Sequence, residues 1–257
     1  MKKPITPRQE LILNSLVETH IDTAVPVGSQ ALRGRCRITA SPATVRNEMS
    51  ALEEMGYLTH PHTSSGRIPT DQGYRYYVDH CLGLSEAPER VVKKCEDDLF
   101  ELSKETPDPM SFVEEALRLL STFVREAGLA LYETSGRETP HGGAKVFMQG
   151  SSHILEKPEF RDWNKLQTLF RAFEEKMELM ASIQSQLLEQ GVSIRIGREN
   201  QVEALRGCTV IAAQYSISGR QKGTLALVAP TRVKYAHAVP LLKSVASLMG
   251  AILDEKF

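Results

Sequence analysis

Ser41-Pro42-Ala43-Thr44-Val45-Arg46-Asn47-Glu48-Met49-Ser50-Ala51-Leu52-Glu53-Glu54-Met55-Gly56 decides how the first third of the chain reads. Ser41 is an N-cap with Pro42 at the first helical position, where the missing N–H costs nothing. Val45, Met49, Leu52 and Met55 share one face at helical spacing, while Asn47, Ser50 and Glu54 share another. Gly56 fits the left-handed position that ends a helix. The segment therefore predicts an amphipathic helix with Thr44, Arg46, Asn47 and Ser50 on its polar side.

Outward from it, Tyr57–His60 and Arg67–Pro69 read as two short strands around the polar turn His62-Thr63-Ser64-Ser65-Gly66, and Thr70 can cap a helix from Asp71 to about Cys81. Upstream, Thr6 and Pro7 open a helix to about residue 21, with Leu11, Ile12, Ser15, Leu16 and Thr19 on one face. Ala24–Gly28 breaks it before a short helix over about 28–35. Three helices and a hairpin describe a winged helix-turn-helix. Such a third helix fits the major groove of B-DNA, where Arg46 suits the edge of guanine and Asn47 that of adenine. Ser41 and Thr44 lie at the helix N-terminus, where free N–H groups favour a phosphate. The wing, with Ser64 near its tip and Arg67 behind it, can lie over a phosphate or enter the minor groove. The same pattern also fits a module that binds protein.

The chain has 257 residues, 41% hydrophobic and 25% charged, with net charge −1, so global charge does not announce a nucleic-acid partner. Charge is uneven, however: residues 81–130 carry 6 basic and 11 acidic side chains. No run approaches the roughly 18–20 uninterrupted apolar residues of a membrane span, and the first ten residues lack the apolar core of a secretory signal, so a cytoplasmic protein is expected. Cys36, Cys81, Cys95 and Cys208 form no C-x-x-C pair and read as free thiols.

Beyond residue 82 the pattern is mixed. A helix is predicted over 86–105 with a stripe of Val91, Val92, Cys95, Leu99 and Leu102. Another opens at Asp108-Pro109 and runs to about Ala127; it is apolar on more than one face and must pack either on two sides within the chain or also on a second subunit. Strands are predicted at 129–133, 145–149, 192–196, 208–217 and 223–229, the last two as a hairpin. A long helix starts near Asp162 within 159–189, and a final one covers about 235–255. The predicted division is 1–82, a helical linker or dimerisation segment at 83–128, and 129–257.

Enzyme readings are weak. His60-Pro61-His62 lacks a third ligand at metal-site spacing, Gly197–Asn200 and Gly219–Gly223 are not phosphate loops, and Ser151-Ser152 before His153 read as loop caps. No cofactor, metal or catalytic residue is expected. A small-molecule sensor remains the third reading, without an identifiable pocket residue.

Ser41–Met49, Leu52–Leu58, Pro61–Asp71 and Gly73–Asp79 form a nearly continuous run that resembles the N-terminal domain of the HrcA heat-inducible transcription repressors of bacteria. Gly150–Leu155 with Pro158-Glu159-Phe160, Ile194–Asn200 and Gly219–Tyr235 resemble later segments of the same family. The resemblance implies a repressor of chaperone operons that binds an inverted-repeat operator on double-stranded DNA as a homodimer, with a GroEL-type chaperonin favouring its active form and heat weakening the dimer or the fold. It implies an α+β protein: an N-terminal winged helix-turn-helix followed by a GAF-like α/β domain carrying an inserted dimerisation segment. This sequence departs from that pattern between Leu129–Tyr132 and Val146–Gln149, where only Glu133 to Lys145 joins segments that family members separate by further strands and helices. The GAF-like domain is thus expected to be shortened.

Overall fold

The computed structural model describes residues 4–35, 41–61, 66–81, 89–133, 144–187, 191–217 and 221–257. It is a mixed α+β structure that divides into two compact units, Met1–Ser85 with Thr231–Tyr235, and Glu86–Pro230 with Ala236–Phe257.

In the first unit the helices are α1 (Pro7–Thr23), α2 (Ser29–Arg35), α3 (Pro42–Glu54) and α4 (Asp71–His80). Strands β1 (Leu58–Thr59) and β2 (Ile68–Pro69) pair antiparallel, Leu58 opposite Pro69. The caps fall where local chemistry put them. Thr6 accepts from the Gln9 N–H while the Gln9 side chain accepts from Thr6 N, a full capping box. Thr70 accepts from Gly73 N. Gly56, at φ +84°, ends α3 as expected. The expected face of α1 is shifted. Leu11 is exposed, and Ile12, Leu13, Leu16, Val17 and Ile21 are buried. The reason is that α1 packs on α2, α3, α4 and β2 together, so it buries more than one stripe.

The second unit is built on a five-stranded, wholly antiparallel sheet of β3 (Ala127–Glu133), β4 (Ala144–Gln149), β5 (Val192–Ile196), β6 (Cys208–Ile217) and β7 (Gln221–Pro230), in the order β4-β3-β7-β6-β5. The helices are α5 (Glu89–Glu105), α6 (Pro109–Val124), α7 (Ser152–Leu155), α8 (Trp163–Glu174), α9 (Lys176–Gln184) and α10 (Tyr235–Lys256). Ala127, Leu129 and Leu131 face a core shared with Ile154 of α7, Leu169 and Phe173 of α8, and Leu179, Met180 and Ile183 of α9. The alternate residues point the other way: Gly128 lies so close to Leu117 of α6 that a Cβ there would meet its side chain at 2.7 Å. Within the span 83–128, read from sequence as a linker or dimerisation segment, α5 and α6 belong to this unit. Phe112, Val113, Ala116, Leu117 and Leu120 of α6 are fully buried between α5 and the strands β3 and β4, so a single chain covers this apolar helix.

Other expectations need correction. α6 stops at Val124 because Arg125 adopts a left-handed conformation, φ 58°, and the chain enters β3 at once. The long helix near Asp162 is two helices, broken at Glu175. Its buried positions explain the break: Leu169 and Phe173 would continue to 176 and 177, but Met177 is exposed and burial restarts at Leu179, so the apolar face changes register. Ser151 makes no side-chain cap bond, and Ser152 opens the short helix α7. The last helix is also apolar enough over 18 residues, mean hydropathy 1.5, to cross a membrane by length and composition. Half of that window is buried in the fold, with Leu241, Leu242, Val245 and Met249 at zero exposure, which is the pattern of a core helix.

Candidate nucleic-acid interface

The sequence sets the frame of α3 locally. Ser41 Oγ accepts from Thr44 N at 3.1 Å and lies 2.9 Å from Thr44 Oγ1, so both hydroxyls are already committed to the start of the helix. Val45, Met49 and Leu52 are buried on α1 and α2, and this burial turns positions 43, 46, 47 and 54 to solvent. Arg46 and Asn47 are exposed and make no side-chain hydrogen bond or ion pair among the described residues.

Acidic side chains flank this face, and two of them are neutralised. Glu48 accepts from Gln9 Nε2 at 3.0 Å and lies 3.7 Å from Arg8, both at the start of α1. Glu53 accepts from Arg67 Nε at 2.9 Å and from the ring of His60 at Nδ1. Burial works to raise the Glu53 carboxyl pKa, but the hydrogen bonds and charges of His60 and Arg67 outweigh it and hold the group below its ordinary 4.5.

Arg67 therefore does not point away from the hairpin. Its Nη2 donates to Ser50 Oγ at 3.0 Å, its side chain is only 20% exposed, and its backbone pairs with Val27 through bonds of 2.8 and 2.9 Å. Ser50 in turn donates to the Arg46 carbonyl at 3.1 Å. Gly66 is required here, since a Cβ would meet the backbone of Val27 at 2.6 Å. Of the seven residues singled out from sequence, α3 presents Arg46 and Asn47 outward, Ser41 and Thr44 form its cap, and Ser50 and Arg67 tie the hairpin to it; Ser64 lies outside the described residues. Sequence reasoning missed Glu53 as the shared partner of Arg67 and His60. The signal was weak: an acid at the end of a helix and a histidine seven residues on, brought together only by the turn at Gly56.

What this unit offers is an exposed helix face bearing Arg46, Asn47 and Glu54, with Glu48 and Glu53 paired to other side chains and a hairpin tied to the helix. The comparisons specify the class. A family described as "HrcA protein C terminal domain" matches residues 93–239. The heat-inducible transcription repressor HrcA of Geobacter sulfurreducens is 31% identical over 337 aligned positions, covering 97% of this chain and 98% of that protein. The HrcA repressor of Shouchella clausii is 30% identical, with 93% and 96% covered. A crystal structure described only as a hypothetical protein has a TM-score of 0.74 at 19% identity, over 98% of this chain and 99% of that one, a likeness of fold. The chain belongs to the HrcA family of heat-inducible transcription repressors. An alignment of 337 positions exceeds the 257 residues here, so that relative carries residues this chain lacks.

Proposed function

We propose that this protein represses heat-shock genes by binding an inverted-repeat operator on double-stranded DNA as a homodimer. In this reading the first unit is a winged helix-turn-helix: α3 enters the major groove, Arg46 and Asn47 reach base edges, the N–H groups behind Ser41 and Thr44 approach phosphate, and the hairpin of β1 and β2 is the wing, with Ser64 a contact proposed from sequence. The second unit, an antiparallel sheet with helices on both faces, is a GAF-like domain with a short β3–β4 connection. It regulates rather than catalyses. A GroEL-type chaperonin restores the active form, and the protein works in the cytoplasm without a membrane partner or cofactor.

One observation carries the reading. Arg46 and Asn47 are exposed on the N-terminal half of a capped helix, while Glu48 and Glu53 beside them are held by other residues. A bidentate Arg–guanine pair discriminates by about 1–3 kcal/mol. The test is fluorescence anisotropy with an operator duplex and a scrambled duplex of equal length, at two salt concentrations, with and without chaperonin. A preference of about a thousandfold or more for the operator, lost at one base position in Arg46→Ala, is expected. Equal binding to both duplexes would leave a protein-binding module instead.

A further inference from the structure

The five residues Thr231–Tyr235 follow β7, yet they belong to the first unit. Tyr235 has zero exposure and is among the largest fully buried side chains. Its ring centroid lies 6.2 Å from that of Tyr74 and 6.4 Å from that of Tyr77, the two buried tyrosines of α4. Its hydroxyl donates to the Thr231 carbonyl at 2.6 Å, so the polar tip is satisfied inside the segment itself. Val233 is 3% exposed. Arg232 donates from Nη1 to the carbonyl of Ile21 at 3.3 Å, in the last turn of α1, where carbonyls lack a partner within the helix. Tyr74 reaches the same turn, its hydroxyl 2.6 Å from His20 Nδ1. One short segment thus touches both α1 and α4.

Both ends of the segment continue into the second unit. Pro230 closes β7 and is paired with Cys208 on β6. Ala238, Leu241 and Leu242, just beyond Tyr235, are fully buried in α10. We propose that Thr231–Tyr235 is a strap that makes the fold of the first unit depend on an intact second unit, with Tyr235 as a positioning residue for α3 through α4 and α1. A five-residue segment has no structure of its own to hold Tyr235 in place once β7 and α10 have melted. Heat that opens the second unit then withdraws an aromatic ring from the core of the first. α1 packs directly on α3, so its loosening frees the helix that carries Arg46 and Asn47. Only this last step rests on the DNA-binding reading.

The experiment is hydrogen exchange by mass spectrometry on the full chain, comparing wild type, Tyr235→Ala and Tyr235→Phe, with operator affinity measured in parallel. Large aromatic-to-alanine truncations in cores predict that Tyr235→Ala lowers protection of α1 and α4 amides on the order of a hundredfold. β6 and β7 keep their protection. Tyr235→Phe, which retains the ring, restores both α1–α4 protection and operator affinity. A fourth variant tests the direction of coupling: Leu227→Ala, in the fully buried middle of β7, lowers the temperature at which α1 and α4 begin to exchange. Unchanged α1 and α4 protection in Tyr235→Ala overturns the proposal, as does an equal loss throughout β6 and β7. If α1–α4 protection falls as expected and the wild type shows no operator preference, the strap stands and the DNA reading fails.

Discussion

Arg67→Ala separates a residue that would touch DNA from one that braces α3. The substitution removes the 2.9 Å bond to Glu53 and the 3.0 Å bond to Ser50, and leaves the backbone pairing with Val27 intact. The Arg67 and Glu53 side chains are 20% and 24% exposed. That places the pair between exposed ion pairs, worth about 0.2–1 kcal/mol, and buried ones, whose breakage costs about 3–5 kcal/mol. His60 remains on Glu53 and softens the loss. A cost of about 2 kcal/mol follows, equivalent to roughly thirtyfold faster opening of α3 by amide exchange. In the double variant with Glu53→Gln the two costs should fall well short of adding, because each substitution removes the same bond. The second readout is the dependence of DNA affinity on salt. A guanidinium held by Glu53 and Ser50 displaces no counterion from a phosphate, so the slope of log K against log salt should stay that of wild type. A direct phosphate contact would lower it by about 0.9. A slope reduced by that amount, with α3 exchange unaltered, would refute the bracing role.

Glu53 also makes an acid prediction. Its pKa is lowered in the folded state, so its contribution is complete above the ordinary 4.5 and is lost as pH falls below that value toward the folded pKa. Melting of the first unit should therefore become acid-sensitive below 4.5, and Glu53→Gln should flatten that limb; equal acid sensitivity in both proteins would contradict the assignment. Gly66→Ala puts a Cβ 2.6 Å and 2.7 Å from the carbonyl carbon and oxygen of Val27, backbone atoms that cannot rotate away. It should break the Val27–Arg67 pairing, seen as loss of protection at both amides, and protected amides there would refute the close approach. Asn200→Asp replaces an amide that donates to the carbonyls of Gly197, Leu205 and Cys208, each at 3.0 Å, with a buried carboxylate facing three acceptors. A loss of about 3 kcal/mol or more is expected in thermal unfolding of the second unit, and a midpoint equal to wild type would count against that network.

Caps and strand pairs were legible in the sequence because their causes are local. Ser41, Thr70, Asp108 and Asp162 each accept from an N–H two or three residues ahead, a relation any reader of adjacent residues can see. The β6–β7 hairpin was legible for the same reason, and pairs in register from Ile217↔Gln221 to Cys208↔Pro230. Within the candidate interface, the outward direction of Arg46 and Asn47 followed from the period of Val45, Met49 and Leu52 alone. The direction of Arg67 did not. A basic residue after a polar turn can face solvent or fold back, and Glu53 fourteen positions earlier decides between them. The second stripe on α1 was hidden because it depends on α4 and β2, which arrive some fifty residues later. Membership of residues 231–235 in the first unit has no local signal at all: their partners are Ile21, Tyr74 and Tyr77.

The sequence reading puts the residues that longer relatives carry and this chain lacks between β3 and β4. The two strands pair continuously from Gly128↔Gln149 to Glu133↔Ala144, and only residues 134–143 separate them in the sequence. β4 is an edge strand of this sheet that packs on α6 and α9, and Val146 and Phe147 on it are buried. Among the described residues both faces of the sheet are covered, by α6 on one and by α7, α8 and α9 on the other, so the core closes without a further segment between β3 and β4.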